Sequence, residues 1–169
     1  MYWFNKSQDL WGVIHALRFA IRHQDEMDGG ESGYSYEVAA ASVMPMLCGM
    51  ALELMYKAIC VAKGLKVPET HELSLLADRG GAQLSDDDKR YLRYLSIHVW
   101  WEGRYPVPKE MRADEMDELS SISSDLFMED VPGVSIRLRR HNGRDQEAMF
   151  DDLWGRAASA FHANHVPTE

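Results

Sequence analysis

The chain has 169 residues, with 18 Lys plus Arg against 27 Asp plus Glu and a formal net charge of −9. That balance excludes a generally basic nucleic-acid coat, and 46% hydrophobic residues exclude an intrinsically disordered chain. The length suits one domain spanning 1–169, and a chain of this size buries ~68–70% of its unfolded surface, enough for a core without staples.

The first helix is expected from Ser7 to Met27, because Leu10, Val13, Ile14, Leu17, Ala20 and Ile21 recur at three-four spacing. Trp3, Lys6, Asp9 and Arg18 break any clean apolar signal core in this region. Asp28-Gly29-Gly30 stops the helix, and a loop continues through Ser32-Gly33.

A second helical region spans Tyr36 to Lys63 with Pro45 inside it. Either the helix kinks there or a new one starts with Pro45 in its first turn. Leu47, Ala51, Leu54, Ala58 and Val61 hold helical spacing up to the Gly64 stop, and this Ala-rich strip is expected at the centre of a bundle. The weakly charged run Val38 to Leu52 is fifteen residues long, short of the ~20 that a bilayer span needs. Cys48 and Cys60 stand twelve apart in this apolar stretch. They make neither a disulfide framework nor a metal spacing and read as buried free thiols in a reducing cytosol. A cytoplasmic protein without a membrane segment is expected.

Thr70 is expected to cap a short helix over His71 to Asp78, with Glu72 in its first turn and Arg79-Gly80-Gly81 at its end. Ser85 caps the next helix, where Asp86, Asp87 and Asp88 suit the macrodipole, and this helix runs to about Glu102 before Gly103 and Pro106. Ala113 to Phe127 reads as an acidic, Ser-rich helix with Met116, Leu119, Ile122 and Leu126 on one side. Val134 to Arg139 alternates with strand periodicity before the Asn142-Gly143 turn signal, without an obvious second strand, so an isolated extended segment is the alternative. Asp145 to His162 closes the chain as a helix with Met149, Leu153, Ala157, Ala160 and Phe161 on one side. The fold class expected is all-α: an up-down bundle of four to five helices with an irregular or short β elaboration near 130–144.

Gly-rich phosphate loops, His-Glu-x-x-His, Cys-x-x-Cys and Gly-x-Ser-x-Gly are absent. His162 and His165 are three apart at the C-terminal end, where an ordinary tail is the simpler reading than a metal site. No metal and no cofactor are expected. Tyr91, Tyr94, His98, Trp101 and Tyr105 follow at spacings of three, four, three and four, which makes one helical stripe. Three readings stand: a stacking surface for bases, a dimer seam, or a core face whose polar tips reach solvent.

Arg93 and His98 bracket four residues. Together, Arg and His can cleave RNA without metal, His moving a proton and Arg stabilising the charged phosphorane. At ~3.6 residues per turn, five residues place the two about 140° apart. They converge only if the helix breaks between them or a second copy supplies the other half. Arg137, Arg139, Arg140 and Arg144 put four arginines into eight residues, and Asp114 to Asp130 upstream holds seven carboxylates and no base. This pattern is either a phosphate site or the mutual neutralisation of two surface segments.

The order Glu53-Leu54-Met55-Tyr56-Lys57-Ala58, then Gly64, then Pro68-Glu69-Thr70-His71-Glu72-Leu73 with Leu76, then Arg104-Tyr105-Pro106, resembles the HEPN domain, the helical domain of higher-eukaryote and prokaryote nucleotide-binding proteins. The likeness is to its Arg-Tyr-Pro subgroup. It covers about a third of the chain and places the motif-bearing core over 45–106, with 107–169 as elaboration and C-terminal helix. The resemblance implies a bundle of four or five helices, commonly dimeric. It also implies a partnership with a nucleotidyltransferase, or a place in toxin–antitoxin modules and phage defence. Catalytic members look like metal-independent RNases that use an Arg followed four to six residues later by His. Here Arg104 is followed by Tyr-Pro-Val-Pro-Lys-Glu-Met-Arg, with no His. The expectation is therefore a non-catalytic domain that binds a nucleotide, RNA or a partner protein. Its binding residues would be Arg104, Tyr105, Trp101, Tyr94, Lys57 and His71, in a cytoplasmic homodimer. The alternatives are a dimeric endoribonuclease using Arg93 and His98, and a purely structural interaction module.

Overall fold

A computed structural model describes residues 1–28, 35–100, 113–133 and 138–165. Seven helices and two short strands follow in chain order: α1 (Tyr2–Arg22), α2 (Gln24–Asp28), α3 (Tyr36–Ala62), α4 (Leu73–Gly80), α5 (Asp86–Trp100), α6 (Ala113–Phe127), β1 (Met128–Asp130), β2 (Arg139–His141) and α7 (Gln146–Asn164). The chain is an all-α bundle with a minor β elaboration. Five of the helices have fifteen or more residues, and α2 and α4 are short.

α3 is the axis. It packs against α1, α4, α5 and α7, because it is apolar nearly all round and has no polar face to give to water. Among the described residues it is the one helix long and apolar enough to cross a bilayer. Its second half is largely taken up by neighbours, with Ala51, Leu52, Met55 and Cys60 fully buried, while Val38 near its start is 75% exposed. α3 runs unbroken through Pro45, so no new helix starts there. Ser35 caps it, accepting from the Val38 N–H at 3.3 Å.

Small residues let the helices approach. A Cβ on Gly49 would lie 2.5 Å from Val99 Cγ2 and 3.1 Å from the Leu95 carbonyl oxygen, both on α5. Gly49→Ala is therefore expected to lose ~1–3 kcal/mol by overpacking, despite the ~1 kcal/mol by which Ala exceeds Gly in helix propensity. Urea unfolding checks this, and the loss should shrink in a Val99→Ala background.

α1 departs from the expected pattern at both ends. It starts at Tyr2 and stops at Arg22, one residue before the separate α2. Ser7 lies inside the helix and the core: its hydroxyl donates to the Ala51 carbonyl at 2.8 Å and accepts from Trp154 Nε1 at 3.0 Å. The buried face of α1 is Phe4, Ser7, Ile14 and Arg18, while Val13, expected to be buried, is 51% exposed.

The caps divide into local and tertiary. Ser85 and Asp88 form a reciprocal box: Asp88 N–H donates to Ser85 Oγ at 3.1 Å, and Ser85 N–H donates to Asp88 Oδ2 at 2.9 Å. Asp145 caps α7 through the Glu147 N–H at 2.8 Å, and Gly81 ends α4 at φ 77°. α4, however, begins at Leu73, two residues later than expected. Thr70 only forms a local turn with the Glu72 N–H. The Leu73 N–H is satisfied from another helix, by Ser96 Oγ of α5 at 3.0 Å.

β1 and β2 pair antiparallel, with Met128 opposite His141, Glu129 opposite Arg140 and Asp130 opposite Arg139. β1 is the partner strand that the sequence did not reveal. Of the expected strand, residues 134–137 lie outside the described residues, and the observed strand runs on to His141.

Candidate functional site

The resemblance points at Lys57 and His71, and the fold brings them together through one carboxylate. Glu53 and Lys57 are one turn apart on α3, which places them on one face. Lys57 Nζ lies 2.7 Å from Glu53 Oε1. His71, in the segment leading into α4, places Nδ1 2.9 Å from Glu53 Oε2. Both carboxylate oxygens are thus engaged. The Glu53 side chain is 9% exposed, that of Lys57 11% and that of His71 40%, so the cluster runs from the core to the surface and opens at the imidazole.

Two tryptophans flank it. Lys57 Nζ sits 5.6 Å from the centre of the Trp3 ring, a cation–π contact in a largely desolvated place. Trp100, the last described residue of α5, meets His71 edge-on at 5.3 Å and is 47% exposed. With Nδ1 engaged by Glu53, Nε2 remains as the ring's second hydrogen-bonding atom. The exposed end of the cluster thus offers one fixed imidazole beside one open indole face. Trp101, Arg104 and Tyr105 lie outside the described residues, immediately after Trp100.

Comparison with protein-family models, with curated proteins and with solved structures returns no match to this chain. The geometry therefore stands on its own.

Arg93 and His98 occupy separate environments. Arg93 holds two carboxylates, Glu118 through Nε at 2.8 Å and Nη2 at 2.7 Å, and Glu72 through Nη1 at 2.6 Å. These ion pairs tie α5 to α6 and to the start of α4, and hold the Glu118 carboxyl below its usual range. His98 is 4% exposed and meets the Tyr94 ring edge-on at 4.5 Å. Burial pulls its pKa down to about 4. Within one chain, the guanidinium is held by the Glu72 and Glu118 carboxylates and the imidazole sits in the core, so the two side chains do not share one environment.

The aromatic stripe is a core face where it is described. Tyr91 and Tyr94 are 2% and 8% exposed, and the Tyr91 hydroxyl donates to the Gln146 carbonyl at 3.0 Å. Tyr94 therefore presents no open stacking face.

The Arg-rich segment is neutralised where it is described. Arg140 pairs with Glu129 at 2.6 Å and Arg139 with Asp130 at 3.4 Å, the cross-strand partners of the hairpin. Arg139 also donates to the Ser124 hydroxyl and carbonyl. Arg144 reaches past the acidic segment to Asp87 at 2.6 Å, and Arg137 lies outside the described residues. His162 and His165 pack on the Phe161 ring.

Sequence reasoning named Lys57 and His71 but did not place Glu53, Trp3 or Trp100 in the site. The Glu53-x-x-x-Lys57 spacing was a readable signal for the first. Trp3 and Trp100 come from helices whose proximity only packing decides.

Proposed function

We propose that this chain is a HEPN-like helical domain that binds a nucleotide or a short stretch of single-stranded RNA without cleaving it. The observation that carries this reading is the Glu53 carboxylate holding Lys57 and His71 together beside the half-exposed Trp100. Every base has a π-face, so an open indole accepts any of them. A fixed imidazole beside it supplies a hydrogen-bonding edge. The global charge of −9 repels phosphate, so recognition falls to such close contacts and not to a basic field. The Arg104-Tyr105-Pro106 tripeptide follows Trp100 in sequence by four residues and lies outside the described residues. A cytoplasmic homodimer, working beside a nucleotidyltransferase or in a toxin–antitoxin or defence setting, is the context that goes with this reading.

Fluorescence anisotropy with labelled oligouridylate and oligoadenylate of about twelve nucleotides tests it. The wild type should bind both, and Trp100→Ala should weaken binding about tenfold, the scale of one lost base stack. His71→Ala should weaken it less. The RNA should be recovered intact after incubation. Cleavage that survives EDTA and vanishes in His98→Ala would instead establish the endoribonuclease. Absence of RNA binding, with a partner protein captured through Trp100, would move the site to a protein interface.

A further inference from the structure

A cavity of about 370 Å³ opens between α1, α3, α5 and the first turn of α7. It shares no residue with the Glu53 cluster. Its floor is apolar, from Ala40, Met44 and Cys48, and one wall is aromatic, from Tyr91 and Tyr94. Burial pushes the Cys48 thiol up to about 12, so it stays neutral.

The polar lining carries the Glu37 and Glu147 carboxylates, the Gln146 side chain and the Arg18 guanidinium. Among the described residues Arg18 is the one cation in the wall, and it is already used. Its Nη1 donates to both Asp151 oxygens at 2.9 Å, Nη2 donates to the Glu147 carbonyl at 3.4 Å, and Nε lies 3.4 Å from Glu147 Oε2. The Arg18 side chain is 2% exposed, so it cannot turn outward to a new anion. The Glu37 and Glu147 carboxylates stand at the rim, and Glu147 is 42% exposed. The Tyr91 hydroxyl gives its proton to Gln146, which leaves its oxygen as an acceptor. Pro45 has no N–H to give to the Ala41 carbonyl four residues back, and Ala41 lines the same cavity. Counting Arg22, 4.0 Å from Glu147, carboxylates still outnumber guanidiniums here by one.

We propose that this cavity binds a small primary ammonium carrying an apolar or aromatic body. The ammonium has three donors for the rim carboxylates. The edges of the tyrosine wall and the Met-lined floor take the hydrocarbon part. An anion of the same shape meets the Glu37 and Glu147 carboxylates.

Isothermal titration with phenethylamine tests the charge and the shape together, beside 2-phenylethanol and 3-phenylpropanoate. The amine should bind saturably, and the alcohol and the carboxylate at least about tenfold more weakly. Glu37→Gln, at the rim and outside the Arg18 ion pairs, should weaken the amine about fivefold, and Ala41→Leu should abolish binding by filling the cavity. Glu147 also holds Arg18, so Glu37 is the cleaner variant. Equal binding of amine and alcohol, no saturable binding of the amine, or unchanged binding in a folded Ala41→Leu protein would each overturn the assignment.

Discussion

Glu53→Ala is expected to cost the fold about 3 kcal/mol, the low end of the range for breaking a buried ion pair. The carboxylate is 9% exposed and engages Lys57 at 2.7 Å and His71 at 2.9 Å. Its loss leaves the Lys57 ammonium nearly buried without a counter-charge. The value stays at the low end because His71 is 40% exposed and water solvates it, and because a lysine stem can bend outward. Glu53→Leu combined with Lys57→Met should recover most of the loss, since it removes both charges from a desolvated place. Urea unfolding of the two single variants and the double variant gives the coupling. A double variant as unstable as the sum of the singles would mean that the pair does not interact.

Acid sensitivity centred on His98 is the second large effect. Its folded pKa is about 4, against ~6.5 in an unfolded chain. The unfolded state therefore takes up the proton first as pH falls. Stability is at full value above about pH 6.5 and declines from there toward pH 4, by roughly 3 kcal/mol in total. Burial is the cause, and the side chain is 4% exposed. The decline precedes the protonation of the ion-paired carboxylates Asp88 and Glu118, whose pKa values are lowered. Urea midpoints across pH 7 to 4 in the wild type and in His98→Leu should diverge, with the variant flatter. Parallel curves would place the imidazole in contact with water.

Both effects come from polar groups that the fold buries, and such groups divide what was legible from what was not. The Ser85–Asp88 box, the Asp145 cap and the Gly81 stop were readable because each is a contact within a few residues, set by backbone geometry alone. The central position of α3 was readable because a helix apolar all round has one stable place. The site was readable in part: Glu53 and Lys57 share a face by spacing, and the resemblance named His71. That His71 closes on the free oxygen of Glu53 depends on how the segment before α4 lies against α3.

Other features were beyond reach for the same reason. Arg18 reads only as a break in an apolar run, and its burial depends on α7 supplying Asp151 and Glu147. Ser7 reads as the start of the first helix, but Ala51 and Trp154 claim its hydroxyl in the core. Thr70 looks like the cap of α4, but Ser96 on α5 satisfies the Leu73 N–H. β1 continues directly from α6, and only pairing with Arg139–His141 makes it a strand.

The sequence by itself determined an all-α chain, the order of its helices and the helix that lies at the centre, since periodicity, caps and composition are local properties that energy ranks before packing begins. The tertiary structure alone decided which charges are buried and which are paired. A buried charge is stable only where another segment supplies its counter-charge, and those partners lie 18 residues away for His71 and Glu53 and 133 for Arg18 and Asp151.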